Sequence, residues 1–171
     1  FSKALSANIN LAFGAEWREE TFTTISGEQA AIDGNTSGMS TAQPEAAGEF
    51  SRDNIALYAD LEHDVSDDLL LQYALRYEDF SDFGSTVNGK VAGRYTVSDS
   101  LTLRGSMSTG FHAPTPGQAN VSTVITTFDG TSGLQVEEGL VPSTIAAAVA
   151  VGGAALKEEE SFNMSVGFTS A

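Results

Sequence analysis

At residues 5–17 every odd position is apolar or small: Leu5, Ala7, Ile9, Leu11, Phe13, Ala15 and Trp17. The even positions are Ser6, Asn8, Asn10, Ala12, Gly14 and Glu16, continuing into Arg18. A period of two is the side-chain repeat of a β-strand, and soluble strands average only about five or six residues. The pattern returns at Ile55, Leu57, Ala59 and Leu61, opposed by Ala56, Tyr58, Asp60 and Glu62. It returns again at Leu69, Leu71, Tyr73, Leu75 and Tyr77, opposed by Gln72, Ala74, Arg76 and Glu78. A fourth run sets Val87, Val91, Tyr95 and Val97 against Asn88, Lys90, Arg94 and Thr96. A fifth sets Leu101, Leu103, Met107 and Phe111 against Thr102, Arg104, Ser106 and Ser108. In the last, Phe162, Met164, Val166 and Phe168 face Asn163, Ser165 and Gly167.

A strand tilted by about 45° needs roughly 9–11 residues to cross a bilayer's hydrocarbon core. The long alternating runs fit that length. They predict an all-β fold, an antiparallel transmembrane β-barrel segment of about six strands. No apolar run approaches the ~18 residues of a transmembrane helix, and the longest, residues 145–156, is rich in Ala and Gly. Cysteine is absent, which removes disulfide staples and thiolate metal sites; closed backbone pairing in a barrel needs neither. No signal-peptide pattern occurs near Phe1, so an exported parent is expected to carry one upstream.

The connections differ in length. Asp64-Val65-Ser66-Asp67-Asp68 and Ser98-Asp99-Ser100 are tight polar turns, whereas residues 22–53, 79–86 and 112–160 make longer links. Short periplasmic turns on one rim and long extracellular loops on the other is the outer-membrane arrangement. A soluble β-rich module has no reason to sort its loops this way.

Charge follows the same division. Eight Lys+Arg stand against 23 Asp+Glu, a balance with no basic patch for nucleic acid. Arg18, Arg52, Arg76, Lys90, Arg94 and Arg104 all fall on the even register, together with Glu16, Asp60, Glu62 and Glu78. A lipid-facing Arg at the bilayer midplane costs about 2–4 kcal/mol, so this register is expected to line the interior. The long loops are acidic and offer hard oxygen donors of the kind Ca2+ and Mg2+ prefer, but no EF-hand or other regular carboxylate spacing occurs, and no metal or cofactor site is expected. His63 and His112 stand alone, and nucleophile-elbow, phosphate-loop and zinc-protease motifs are missing, so no enzyme activity is expected.

Four segments carry a family likeness. Arg76-Tyr77-Glu78-Asp79-Phe80-Ser81-Asp82-Phe83-Gly84-Ser85-Thr86 resembles the RYEDYSDFGST block of TonB-dependent receptor barrels. Leu103-Arg104-Gly105-Ser106-Met107-Ser108-Thr109-Gly110-Phe111, leading into His112-Ala113-Pro114-Thr115-Pro116-Gly117-Gln118, resembles that family's R-x-S-x-S-T-G-F-R-A-P stretch. Leu156-Lys157-Glu158-Glu159-Glu160-Ser161-Phe162-Asn163 and Ala12-Phe13-Gly14-Ala15-Glu16-Trp17-Arg18-Glu19-Glu20 resemble its L-K-P-E-x-S-x-N and F-G-A-E-Y-R-x-E segments. The likeness spans nearly the whole chain in the expected order. His112 stands where the family has Arg, and Glu158 where Pro is common.

The resemblance implies that residues 1–171 are part of a 22-stranded barrel whose plug domain and TonB box lie elsewhere in the parent. It implies outer-membrane localisation and active uptake of a scarce nutrient: a ferric siderophore, cobalamin, haem or a carbohydrate. Its partners would be outer-membrane lipid, the nutrient ligand and the TonB–ExbB–ExbD complex. The candidate ligand-facing residues of the upper inner wall are Arg18, Arg76, Glu78, Lys90 and His112, each expected near the extracellular end of its strand. A passive porin-type barrel and a soluble β-rich binding module are the alternatives. Six strands with two open edges and an apolar face are expected to aggregate rather than form a soluble monomer.

Overall fold

The computed structural model describes residues 1–35 and 41–170. In chain order its strands are β1 (Ser2–Ser6), β2 (Ile9–Thr24), β3 (Gly48–Ser66), β4 (Leu69–Phe80), β5 (Gly84–Ser98), β6 (Leu101–His112), β7 (Thr123–Phe128), β8 (Gln135–Leu140) and β9 (Glu159–Ser170). Seven form one sheet in the order β1-β2-β3-β4-β5-β6-β9, and β7 and β8 form a separate hairpin. The chain divides into two compact units, one of Phe1–Arg18, Asp53–Ala113 and Glu158–Ala171, the other of Glu19–Arg52 and Pro114–Lys157.

The antiparallel wall expected from the alternation is present, with three differences. The first alternating run is not one strand. It turns at Ala7 and Asn8 and returns as β2, so the expected six strands become seven. A two-residue turn leaves the period of two intact, which is why the run reads as continuous. The connection at residues 79–86 is a short hairpin, with β4 ending at Phe80 and β5 starting at Gly84, whose φ of 108° suits glycine. Finally, the long link after β6 contains structure of its own.

Three turns share one rim and one chemistry. Ser6 Oγ accepts from the Asn8 N–H at 3.3 Å, and Ser66 Oγ accepts from the Asp68 N–H at 3.4 Å. The hydroxyls of Ser98 and Ser100 lie 3.4 Å apart. Register shifts at Ala4/Ser6, Asp64/Ser66 and Thr96/Ser98 place a bulge at each turn. Short Ser side chains satisfy backbone groups that a tight turn leaves unpaired, and bulges add the twist that curves a sheet. Neighbouring hairpins are laced together where Asp64 N–H donates to Asn8 O and Thr96 N–H to Asp68 O, both at 2.8 Å.

The faces are sorted as the alternation predicts. Cross-strand rows such as Leu61, Tyr73, Val91, Met107 and Met164 share one face, as do Leu69, Tyr95, Leu103 and Phe168. This apolar face is open: Leu75 is 58% and Trp17 64% exposed. Burial is instead concentrated on the even face, at Asn54, Ala56, Glu78 and Phe80. Phe80 lies against Phe83 with ring centroids 4.6 Å apart and meets Phe111 edge-on at 5.9 Å.

The second unit contains α1 (Gln29–Gly34), a 3-10 turn at Pro44–Ala46, α2 (Pro116–Asn120), the β7–β8 hairpin and α3 (Ala146–Ala150). Thr115 and Gln118 form a capping box at the start of α2. Buried Arg52 donates from Nε to Glu20 at 2.7 Å and from Nη1 to the Pro114 carbonyl. No described helix is long and apolar enough to cross a membrane.

Candidate functional site

The even face of the sheet carries the charged chemistry. Arg76 and Glu78 are two residues apart on β4, so their side chains project from the same face. Arg76 donates to Glu78 Oε1 from Nε at 2.9 Å and from Nη2 at 2.5 Å, and Nη2 also reaches Glu16 Oε2 at 3.1 Å. Tyr58 is directly opposite Arg76 on β3, and the guanidinium carbon lies 5.9 Å from its ring centroid. The Tyr58 ring fits because Gly14 is beside it: a Cβ at Gly14 would fall 2.5 Å from the Tyr58 hydroxyl. Gln72 Nε2 donates to Asp60 Oδ2 at 2.9 Å on the same face.

Tyr58, Asp60 and Arg76 border a depression of about 480 Å³ whose lining also includes Asn88, Lys90 and Thr109. Of the five residues expected at the upper wall, Arg76 and Glu78 therefore meet directly, and Lys90 borders the same hollow. Lys90 lies near the middle of β5 rather than at its end. Arg18 is exposed on β2, two residues along from Glu16. His112 ends β6 opposite Glu159, with Nδ1 3.9 Å from Oε2 and both side chains largely exposed. Among the described residues no group of three or more His, Asp or Glu is placed to hold a metal ion.

Two features were missed in the sequence. The Glu16–Arg76 contact joins residues far apart in the chain, and alternation gives only their shared face, not their level along the strands. The direct apposition of Arg94 and Arg104 was legible in principle, since both lie five residues from Asp99 in the β5–β6 turn.

A family model described as TonB dependent receptor-like, beta-barrel, matches residues 1–170. No curated protein matches the chain. Among solved structures, the siderophore receptor PirA from Acinetobacter baumannii is similar with a TM-score of 0.66 at 20% identity, over 95% of this chain and 22% of that one. PirA from Pseudomonas aeruginosa gives 0.67 at 21% identity, over 98% of this chain and 27% of that one. A G324V mutant of the ferric enterobactin receptor PfeA from Pseudomonas aeruginosa gives 0.67 at 17% identity, over 95% and 22%. The chain thus spans about a quarter of the length of these receptors, and at such identities the likeness establishes the fold.

Proposed function

The chain belongs to the TonB dependent receptor-like β-barrel family, and from that premise we propose that it forms part of the wall of an outer-membrane receptor for TonB-dependent uptake of a ferric siderophore. The observation that carries this reading is the inversion of the faces. Large apolar side chains are exposed on one side, while on the other Arg76 pairs with Glu78 and Asp60 accepts from Gln72. In water such a sheet would expose far more contiguous apolar surface than a soluble protein tolerates; against lipid the same face is stabilising. Siderophore receptors among its structural neighbours are the support for choosing that cargo.

In this reading the parent carries its plug domain and TonB box outside the present segment and relays energy from the TonB–ExbB–ExbD complex. The barrel binds and moves its cargo without transforming it. Arg18, Arg76, Glu78, Lys90 and His112 are the proposed ligand-facing residues, with Arg76 and Glu78 acting as a braced pair. The test is uptake of iron-55 siderophores by cells lacking the parent gene, by complemented cells and by a TonB-deficient strain. Uptake of one ferric siderophore should be lost in the first and third. Uptake that persists without TonB and rises linearly with concentration would identify a passive pore and overturn the proposal.

A further inference from the structure

The apolar face of the wall has two limits. On β4 its residues run from Leu69 to Tyr77, and the next position on that face is Asp79. On β9 the same step leads from Phe162 to Glu160. Apolar side chains thus give way to acids at one end of the face. At the other end lies the rim of serine turns, which includes the reversal at Ala7 and Asn8 between β1 and β2.

Exposed Lys3 lies between these limits. It is the register partner of Leu11 on β2. Two residues before it, Phe1 and Phe13 exchange both backbone hydrogen bonds at 2.9 Å, and their ring centroids are 5.0 Å apart. Phe13 and Leu11 belong to the apolar register, so β1 presents Phe1 and Lys3 on the apolar face. Leu11 is two residues above Ile9, where β2 leaves the turn, a rise of about 5 Å at a tilt of roughly 45°. Trp17, the last apolar residue of β2 on this face, is about 14 Å further up. The rim of turns is therefore the limit within reach of a four-carbon lysine stem. Such a side chain keeps its methylenes in hydrocarbon and carries its ammonium to the headgroup level. A cation on the lipid face costs most at the midplane and little near the interface. The anion at that level is the phospholipid phosphate, whose oxygens suit a compact ammonium with three donors.

We propose that Lys3 binds the phosphate of an anionic phospholipid in the periplasmic leaflet, giving β1 a lipid-headgroup site on the outer surface of the wall. The proposal rests on the reading of the apolar face as lipid-facing and of the turn rim as periplasmic. It depends neither on the transported cargo nor on what fills the barrel interior.

The experiment uses the intact parent receptor, otherwise free of cysteine, with a fluorophore on Ile9→Cys and, in a second sample, on Met164→Cys. Each is reconstituted into phosphatidylcholine vesicles, and quenching by doxyl-labelled phosphatidylglycerol is compared with quenching by doxyl-labelled phosphatidylcholine. At position 9 the anionic lipid should be favoured about fivefold at low ionic strength, and less as salt is added. Lys3→Met should abolish that preference and Lys3→Arg should keep it. At position 164, four strands further along the sheet, Lys3→Met should change nothing. Quenching by both lipids at position 9 without a preference, or with the same preference in Lys3→Met, overturns the proposal and leaves the lipid-facing reading standing. Absence of quenching by either lipid at both positions overturns the lipid-facing reading and the proposal with it.

Discussion

Removing Arg76 should damage the wall through the carboxylate it leaves behind. The Glu78 side chain is only 7% exposed, whereas that of Arg76 is 36% exposed. At a separation near 3 Å and an effective dielectric of about 20, the pair attracts by roughly 5–6 kcal/mol before desolvation is charged against it. Breaking a fully buried pair typically costs about 3–5 kcal/mol, and the partial exposure of Arg76 lowers the expectation for Arg76→Met to about 2–3 kcal/mol. Glu78→Gln retains an acceptor for the guanidinium, and Arg76 keeps Glu16 at 3.1 Å, so that change should cost only about 1–2 kcal/mol. The Arg76→Met/Glu78→Gln double variant leaves no orphaned buried charge. It should therefore be less destabilised than the sum of the single changes by about 1.5 kcal/mol or more. Reversible urea unfolding of the intact receptor from lipid vesicles, carried through the full double-mutant cycle, measures that difference. Additivity within about 0.5 kcal/mol would refute the assignment of Arg76–Glu78 as a coupled pair.

Gly14→Ala should displace the Tyr58 ring from beneath Arg76 and cost about 1–3 kcal/mol in the same unfolding assay, while Ala15→Gly, on the opposite face, should cost less; equal costs would contradict the Gly14–Tyr58 packing. In the β7–β8 turn, the Ser132 hydroxyl and the Thr131 and Ser132 amides donate to Asp129, holding its carboxyl below the ordinary value of 3.8. Because the folded value is depressed, the turn is stabilised above pH 3.8 and loses that stabilisation as pH falls through the depressed value. NMR titration of the Ser132 amide in the intact receptor should give a midpoint below 3.8, and a midpoint above it would contradict the turn geometry.

Much of the wall was legible because alternation reports a purely local property, the side of the strand on which each residue lies. The even-register positions of Arg52, Arg76 and Glu78 followed from that alone: Arg52 and Glu78 are buried, and Arg76 pairs with Glu78 on the same face. Alternation does not report where a strand reverses, which is why the turn at Ala7 and Asn8 was read through. Nor does it give the level at which two strands meet: Glu16 finding Arg76, and Lys90 lying at mid-strand, depend on the register of several hairpins together. The link after β6 was opaque for another reason. The β7–β8 hairpin and α3 are short, and α3 is built from Ala and Val, so neither shows a sustained period.

The central claim is that odd positions of β4 face lipid and even positions face the barrel interior. The absence of cysteine from this segment makes it directly testable by single substitution. Gln72→Cys, Tyr73→Cys, Ala74→Cys and Leu75→Cys would each be introduced into an otherwise cysteine-free parent receptor, labelled with an environment-sensitive fluorophore and reconstituted into vesicles containing doxyl-labelled lipid. The account predicts strong lipid quenching at positions 73 and 75 and blue-shifted emission there. Positions 72 and 74 should show weak lipid quenching and accessibility to an aqueous quencher. Uniform quenching at all four positions, or the opposite parity, would contradict it.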